Sequence, residues 1–161
     1  MHKDNTEHKR VVTFLKDHPM GILSTSNRDG EPWGAAVYFL VDDDFNIYFV
    51  TRHDSRKYQN MEKNPYASLT VADSETQVTV QLSGDITTMP VQKYMDVFFD
   101  KFANMRPEGD YQWAPPVDKV HSGSYMPLQL TPTKMQYADY GKHRIEVNGN
   151  YIEQIIPNAT M

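Results

Sequence analysis

The 161-residue chain contains no cysteine. This absence excludes disulfide bonds, thiolate metal ligands and a cysteine nucleophile, and it fits a reducing compartment such as the cytoplasm. The chain also lacks a run of about 18 apolar residues, the length that a transmembrane helix needs. Its first segment, residues 1–16, is charged and lacks the apolar stretch of a signal peptide. We therefore expect a cytoplasmic protein with no membrane partner.

Positive charge is also in short supply, because the formal net charge is -5 and the pI is near 5.6. An acidic chain does not favour nucleic acid as a partner, so any phosphate site must be local. The six histidines are scattered without ligand spacing, and no metal site is expected. Residues 42–44 are three aspartates that open like a calcium loop, but Ile47 stands where that loop requires glycine, and we reject calcium. No serine sits in a nucleophile elbow, which disfavours a hydrolase.

The length fits one domain with a core of its own. We expect residues 1–161 to form a single domain: an N-terminal helix within 1–19, a barrel with inserted helices over 20–140, and a C-terminal tail over 141–161. No internal repeat and no low-complexity segment interrupts this arrangement.

Short segments rich in β-branched and aromatic residues recur along the chain. The pattern predicts helices over 4–17, after Ser55 and from Pro90, with strands over 20–26, 32–41, 46–51, 67–72, 77–86 and 125–137, the last either a strand pair or one bent strand. Asp29-Gly30 marks a hairpin turn between the first two strands. Six short strands at spacings of about 10–15 residues predict a mainly β protein, an antiparallel barrel with flanking helices.

The most informative stretch is residues 47–58, which reads as a buried strand, a short turn and a helix. Ser55 is a good helix N-cap, and Arg56 and Lys57 follow in the first helical turn. The helix macrodipole favours cations at the opposite end. Free N–H groups, a hydroxyl and two positive side chains at a helix start can converge on a phosphate. The alternative reading is two ordinary surface cations.

Two other features suggest a ligand. The second strand contains Gly34, Ala35 and Ala36, and three small residues on a strand suggest that something lies flat against it. The connection over 105–123 is long for a small domain and holds Tyr111 and Trp113. Loops of this length are usually functional or poorly ordered.

Residues 48–57 with the following Asn64-Pro65, and the upstream hairpin over 29–32, resemble the pyridoxamine 5′-phosphate oxidase-like, FMN-binding split-barrel family. The likeness covers roughly 11–139 and is greater to the shorter general stress protein and oxidase-related branch. It implies a six-stranded antiparallel split barrel that binds FMN. The cofactor-binding residues that it implies are Ala35, Ala36, Val37, Val50, Thr51, Ser55, Arg56, Lys57, Thr79 and Trp113.

Departures from the family pattern fall on the substrate side. The resemblance places Ala35 where the true oxidases carry Arg, Leu40 near the position of their substrate-phosphate Lys, and Thr79 where they use Gln. The basic residues 142–144 are ordered differently from the family's C-terminal Arg-x-His. The cofactor site therefore looks retained and the vitamin B6 substrate site absent, and no catalytic residue is assigned.

Three functional classes stay open. The first is an FMN-dependent oxidoreductase acting on an unidentified small molecule, with NAD(P)H as a candidate reductant. The second is a flavin-binding or stress protein without turnover, and the third is a split barrel that binds haem or a deazaflavin. The resemblance also implies a homodimer with flavin sites at the interface, completed by Tyr111 or Trp113 of the second subunit. The apolar tail residues Tyr151, Ile152, Ile155 and Ile156 are further interface candidates, unless they fold back on their own barrel.

Overall fold

The computed structural model describes residues 3–94, 123–141 and 151–155, with side chains from residue 6 onward. Two helices and seven strands follow one another along these residues: α1 (Lys3–Asp17), β1 (Met20–Ser26), β2 (Pro32–Val41), β3 (Ile47–Arg52), α2 (Arg56–Lys63), β4 (Tyr66–Asp73), β5 (Val78–Thr88), β6 (Tyr125–Asp139) and β7 (Ile152–Ile155). Residues 91–94 are also helical, directly after Pro90.

The strands form one antiparallel sheet in the order β3-β2-β1-β4-β5-β6-β7, and β3 also pairs with β6. That extra pairing closes the first six strands into a barrel, which confirms the predicted six-stranded antiparallel fold. One edge of β6 pairs with residues Val78 to Thr88 of β5. The other edge of β6 is shared between two strands. The first part of that edge pairs with β3, and the second part pairs with β7.

The core is formed by side chains at alternate positions of the strands. In β5 the side chains of Val78, Val80 and Leu82 are buried while those between them are exposed or half-buried, as expected for a sheet with one face inward. α1 packs Val11 and Leu15 against the same interior. The largest fully buried core residues include Phe39, Phe45, Phe49, Leu23, Leu69, Leu128 and Leu130.

The structure decides between the alternatives that the sequence left open for the C-terminal segment. β6 is one continuous strand that runs through Pro127 and Pro132. Its register shifts opposite Ser83 and Gly84, and this irregularity accommodates Pro132. Of the tail residues that were interface candidates, Ile152 and Ile155 fold back in cis, because Ile152–Ile155 pair with β6 and Ile155 packs against the core. Ile156 lies outside the described residues.

Polar contacts fasten the tail and α1 to the barrel. The Arg10 guanidinium donates to Glu153 of β7 at 2.7 Å and lies 4.3 Å from the centroid of the Tyr137 ring. At the turn between β2 and β3, Lys16 of α1 pairs with Asp43 at 2.8 Å. None of the helices among the described residues is long and apolar enough to span a membrane.

The turn between β2 and β3 is held together by its own side chains. The Asp42 carboxylate accepts hydrogen bonds from the backbone N–H groups of Asp44 and Asn46, the Asn46 side chain and the Tyr48 hydroxyl. Burial, together with the bond to Asp42, raises the pKa of the Tyr48 hydroxyl. The three neighbouring aspartates thus build a structural turn.

Candidate cofactor site

The site begins where β3 ends and α2 starts. Ser55 is the N-cap of α2: its backbone is extended and its Oγ accepts the backbone N–H of Tyr58 at 3.4 Å. The same hydroxyl donates to the Arg52 carbonyl at 2.8 Å and lies 3.1 Å from Oγ1 of the buried Thr51. These bonds connect the N-cap to the end of β3 and fix the position of the first N–H groups of α2.

The first turn of α2 carries two cations and no acidic residue. Lys57 is half-buried, and desolvation lowers the pKa of its ammonium group. Within the part of the chain that the structure describes, neither Arg56 nor Lys57 makes an ion pair with a carboxylate. A half-buried cation without a counterion is unfavourable by itself and favours an anionic ligand.

Arg52, the neighbouring cation, is already neutralised. Its guanidinium donates two hydrogen bonds to the Asp54 carboxylate, and the bond from Arg52 holds the pKa of Asp54 below its ordinary value. Arg52 and Asp54 therefore neutralise each other beside the helix. The groups left for an anion are Ser55, Arg56 and Lys57, which we call the cation cradle.

A cleft of about 260 Å³ adjoins the cradle between the β1–β2 hairpin and α2. Trp33 forms part of its wall, and the Arg56 guanidinium lies 4.4 Å from the centroid of the Trp33 ring. The cleft is lined by Asn27, Glu31, Pro32, Trp33, Arg56, Gln59, Asn60 and Lys63. This arrangement joins the start of β2 to the start of α2.

β2 presents an open backbone edge close to this point. Its residues 32–38 pair with β1, whereas β3 reaches only Phe39, Leu40 and Val41. The Phe39 N–H donates to the Pro19 carbonyl on the β1 side. Because backbone groups alternate between the two edges of an antiparallel strand, those of Gly34 and Ala36 point to the open edge. No described strand pairs with them there.

The three predicted β2 residues therefore differ in what they offer. Ala36 is exposed and turns its backbone groups to the open edge, while Val37 is buried. Ala35 and Val37 lie opposite Leu23 and Gly21 and direct their backbone groups toward β1. A flat ring could bond to the edge at Ala36 without meeting a large side chain.

The other predicted site residues lie further apart. Thr51 joins the cradle through Ser55, but Val50 faces the opposite side of β3 and packs against the cluster of Tyr48, Met89 and Tyr94. Trp113 lies outside the described residues. These placements leave the assignments of Val50 and Trp113 as predictions.

Thr79 is distant from the cradle along the sheet. It pairs with Ala72 and Ala138, whereas Asp85 of the same strand pairs with Tyr66, which follows α2 closely. The separation of six residues between Thr79 and Asp85 corresponds to roughly 20 Å of strand. Contact of Thr79 with a cofactor at Lys57 would need a long ligand or a second subunit, and it stays a prediction.

Leu40 is an apolar residue, and its surroundings are also apolar. Leu40 packs against a second hydrophobic cluster formed by Tyr48, Met89 and Tyr94. The residues of this cluster that the structure describes include no cation. The absence of a vitamin B6 phosphate site stays a prediction.

Sequence reasoning missed Trp33 and singled out Gly34 only as a small residue. Trp33 is the largest exposed side chain of the hairpin, at 43% exposure. Exposure could not be read from the sequence, and its partner Arg56 lies in a different element. The alternation of β2 did contain the signal for Gly34 and Ala36, since both fall on the outward positions of the strand.

The residues present fit a phosphate-bearing flavin. The cradle supplies two cations and helix N–H groups for a phosphate, and the open edge of β2 supplies backbone groups for a flat polar ring. The Ser55 hydroxyl donates to the Arg52 carbonyl here, and its proton would have to turn to reach a phosphate. Fold and site together define a split barrel with an anion cradle at the start of its second helix. Residues 8–137 match the family described as Pyridoxamine 5′-phosphate oxidase, and the chain belongs to this family.

Curated relatives agree with this membership. The pyridoxine/pyridoxamine 5′-phosphate oxidase of Salinibacter ruber is 28% identical over 120 residues, which are 73% of this chain and 54% of the relative. The enzyme of the same name from Pseudomonas putida is 27% identical over 132 residues, 80% of this chain and 59% of the relative. The chain therefore spans a little over half the length of these relatives.

Solved structures share the fold with different printed functions. A protein related to general stress protein 26 from Clostridium acetobutylicum has a TM-score of 0.66 at 14% identity, covering 94% of this chain and 96% of that one. An oxidase-related, FMN-binding protein from Nostoc punctiforme has a TM-score of 0.60 at 15% identity, covering 95% and 88%.

Two further structures carry other cofactor names. A haem-binding protein from Mycobacterium smegmatis has a TM-score of 0.63 at 14% identity, covering 93% of this chain and 57% of that one. An F420 reductase has a TM-score of 0.55 at 24% identity, covering 76% and 93%. At these identities the likeness shows the fold alone, so the choice of cofactor must be argued from the site.

Proposed function

We propose that this protein binds FMN and acts as an FMN-dependent oxidoreductase of the pyridoxamine 5′-phosphate oxidase-related type. The observation that carries the proposal is the cation cradle. Lys57 is half-buried and lacks a carboxylate partner among the described residues, and Arg56 lies beside it without one. A phosphate monoester would supply the missing charge and accept hydrogen bonds from both side chains.

The chain's own residues bind and orient the cofactor. Ser55 and the N–H groups of α2 would hold the phosphate together with the two cations. The backbone groups of Gly34 and Ala36 would bond the polar rim of the ring at the open edge of β2. When bound, FMN supplies the redox chemistry, and the protein contributes binding, orientation and electrostatics.

The substrate is proposed to be a small molecule other than pyridoxamine 5′-phosphate. Ala35 and Leu40 provide no positive charge, and Leu40 contacts an apolar cluster. A substrate phosphate would be left without a counterion there, which is costly away from water. The same argument supports a reductant or substrate that meets the ring through apolar contact.

We also propose that the protein is a homodimer whose flavin sites lie at the interface. The outer face of β1 exposes Met20 by 51% and Ile22 by 46%, and Ile22 lies opposite Ala36, whose backbone groups point to the other, open edge of β2. A second subunit on this face would cover the apolar side chains beside the ring. Tyr111 or Trp113 of the partner would then complete the site, so Trp113→Ala should change the fluorescence of bound flavin.

Flavin titration tests the cofactor assignment. Each charge-assisted bond to the phosphate contributes roughly 1.5–3 kcal/mol. The double variant Arg56→Ala with Lys57→Ala should therefore bind FMN at least a few hundredfold more weakly than the wild type. Riboflavin lacks the phosphate, and its weak affinity should be similar for both proteins.

A matched control removes two cations elsewhere. Lys9 is exposed on α1 and Lys134 is exposed on β6, so Lys9→Ala with Lys134→Ala changes the net charge by the same amount. This control should keep the wild-type affinity for FMN. Equal FMN affinity in the wild type and the cradle double variant would reject the site.

A second experiment separates turnover from storage. Anaerobic addition of NADH or NADPH to the FMN-loaded protein should bleach the flavin absorbance if the protein is a reductase. Bound FMN that neither nicotinamide nor any tested small molecule reduces would favour a flavin-binding protein without turnover. An absorption spectrum typical of haem, or preferential binding of the deazaflavin F420, would instead support the third class.

A further inference from the structure

We infer that Trp33 is a positioning residue that holds Arg56 toward the cofactor phosphate and so increases the preference for FMN over riboflavin. The inference rests on the proposed function, because it concerns the same cradle. Trp33 belongs to β2. The residues assigned to the phosphate, Ser55, Arg56 and Lys57, all lie where β3 passes into α2.

The contact itself has the geometry of a cation–π interaction. The Arg56 guanidinium lies 4.4 Å from the centroid of the Trp33 ring, within the distance of about 6 Å at which such pairs attract. Arg56 is exposed, and a long exposed side chain loses rotamer freedom when it binds a ligand. The ring restricts this freedom before the phosphate arrives, so less entropy is lost on binding.

The backbone of Trp33 is connected to α2 through a buried hydroxyl. Its carbonyl accepts a hydrogen bond from the Thr25 hydroxyl at 3.4 Å, and that hydroxyl accepts one from the Asn60 side chain at 3.1 Å. Thr25 and Asn60 are both buried. Asn60 belongs to α2, as does Arg56, so this buried bridge fixes the backbone of β2 at Trp33 relative to the helix that carries the arginine.

A carboxylate in the same cleft gives the contact a further consequence. Glu31 and Arg56 both line the cleft, and the Glu31 carboxylate accepts a hydrogen bond from Asn27 at 3.1 Å. An arginine released from the ring would be free to approach this carboxylate and be neutralised. Stacking on Trp33 keeps the positive charge available for the phosphate.

Paired titrations with FMN and riboflavin test the inference in the full-length protein. Trp33→Leu should weaken FMN about two- to fivefold, the change that corresponds to a cation–π contact of roughly 0.5–1 kcal/mol at an exposed site. Riboflavin affinity should not change. Trp33→Phe, which keeps an aromatic face, should retain most of the FMN preference.

A double-mutant cycle excludes a merely structural role. In the Arg56→Ala background, Trp33→Leu should leave the ratio of FMN to riboflavin affinity unchanged, because there is no guanidinium left to position. Equal weakening of both ligands, or the same loss of FMN preference without Arg56, would overturn the inference. A wild-type protein that binds FMN no better than riboflavin would overturn the proposed function as well, which distinguishes the two failures.

Discussion

The hydroxyl groups of Thr51 and Ser55 lie 3.1 Å apart and connect the last inward-facing residue of β3 to the N-cap of α2. Thr51 is buried in the barrel wall at 2% exposure. The position of the cation cradle is therefore set by the packing of the barrel as well as by the conformation of the turn. Substitutions at Ser55 can separate the structural role of this hydroxyl from its role toward a phosphate.

Ser55→Ala and Ser55→Asp should differ in stability, although both remove the serine hydroxyl. Alanine removes the cap and the partner of Thr51, and loss of an N-cap costs about 1 kcal/mol of stability. Aspartate is as good a cap as serine, so the stability should be preserved, but its charge would repel the phosphate. Urea denaturation and FMN titration measure the two effects. Ser55→Asp that binds FMN as tightly as the wild type would show that the phosphate lies elsewhere.

Lys57 should show a trade-off between stability and binding. Desolvation lowers the pKa of its ammonium group from the usual 10.5, so the protonated form is less favourable in the folded protein than in the unfolded one. Lys57→Met removes this penalty and should stabilise the FMN-free protein. The same variant should bind FMN more weakly, because it removes one of the two cations of the cradle.

The pH dependence of that stability difference follows from linkage. Below its lowered folded pKa, Lys57 is protonated in both states and the penalty is fully present. Between that value and 10.5 the unfolded state binds more protons, so wild-type stability rises with pH relative to Lys57→Met. Urea denaturation of both proteins at pH 7 and at higher pH should show the advantage of the variant shrinking. An advantage that grows with pH would contradict the burial of the charge.

Local signals explain what the sequence could predict. The β1 and β2 bounds follow from alternation and from turn residues around Gly30, whose φ is +83°. Ser55 could be identified as a cap because capping depends on neighbours only a few residues away. The cation cradle is contiguous in sequence for the same reason, so Arg56 and Lys57 could be placed together without knowledge of the fold.

Contacts between distant segments could not be predicted in this way. Trp33 meets Arg56 only because β2 and α2 come together beside β1. The apolar tail residues indicated that the segment docks, but not that the second part of the β6 edge was open to receive Ile152–Ile155. Pro132 suggested a break in the last strand, and only the register shift at Gly84 shows how the strand continues.

Gly84 should tolerate no side chain. A Cβ at this position would lie 1.9 Å from the Thr131 carbonyl oxygen and 2.7 Å from Cα of Pro132, both backbone atoms. Gly84→Ala must therefore separate β5 from β6 at the register shift, and we expect a loss of about 3 kcal/mol or more. Gly34→Ala is the matched control, since its Cβ would meet only Ile22 Cγ2 at 3.4 Å. Thermal unfolding of the two variants should differ clearly, and equal melting temperatures would contradict the close approach.

The outer face of β1 provides the test of assembly. Ile22 is 46% exposed there, and it lies between Ala36 of β2 and Thr70 of β4. If a second subunit covers this face, Ile22→Glu would bury a charge in the interface and should convert the dimer to a monomer. Because Ala36 belongs to the proposed flavin edge, FMN affinity should fall together with dimerisation.

Val91→Glu is the control, because Val91 is also an exposed apolar residue, at 39%, on a different part of the surface. Light scattering at micromolar concentration measures the mass of each protein, with and without FMN. The control should remain a dimer with wild-type FMN affinity, and Ile22→Glu should be a folded monomer that melts at a lower temperature, because association no longer stabilises it. A wild-type protein that is monomeric yet holds one FMN per chain would show that each barrel completes its own site. The exposed apolar face of β1 would then have no part in cofactor binding.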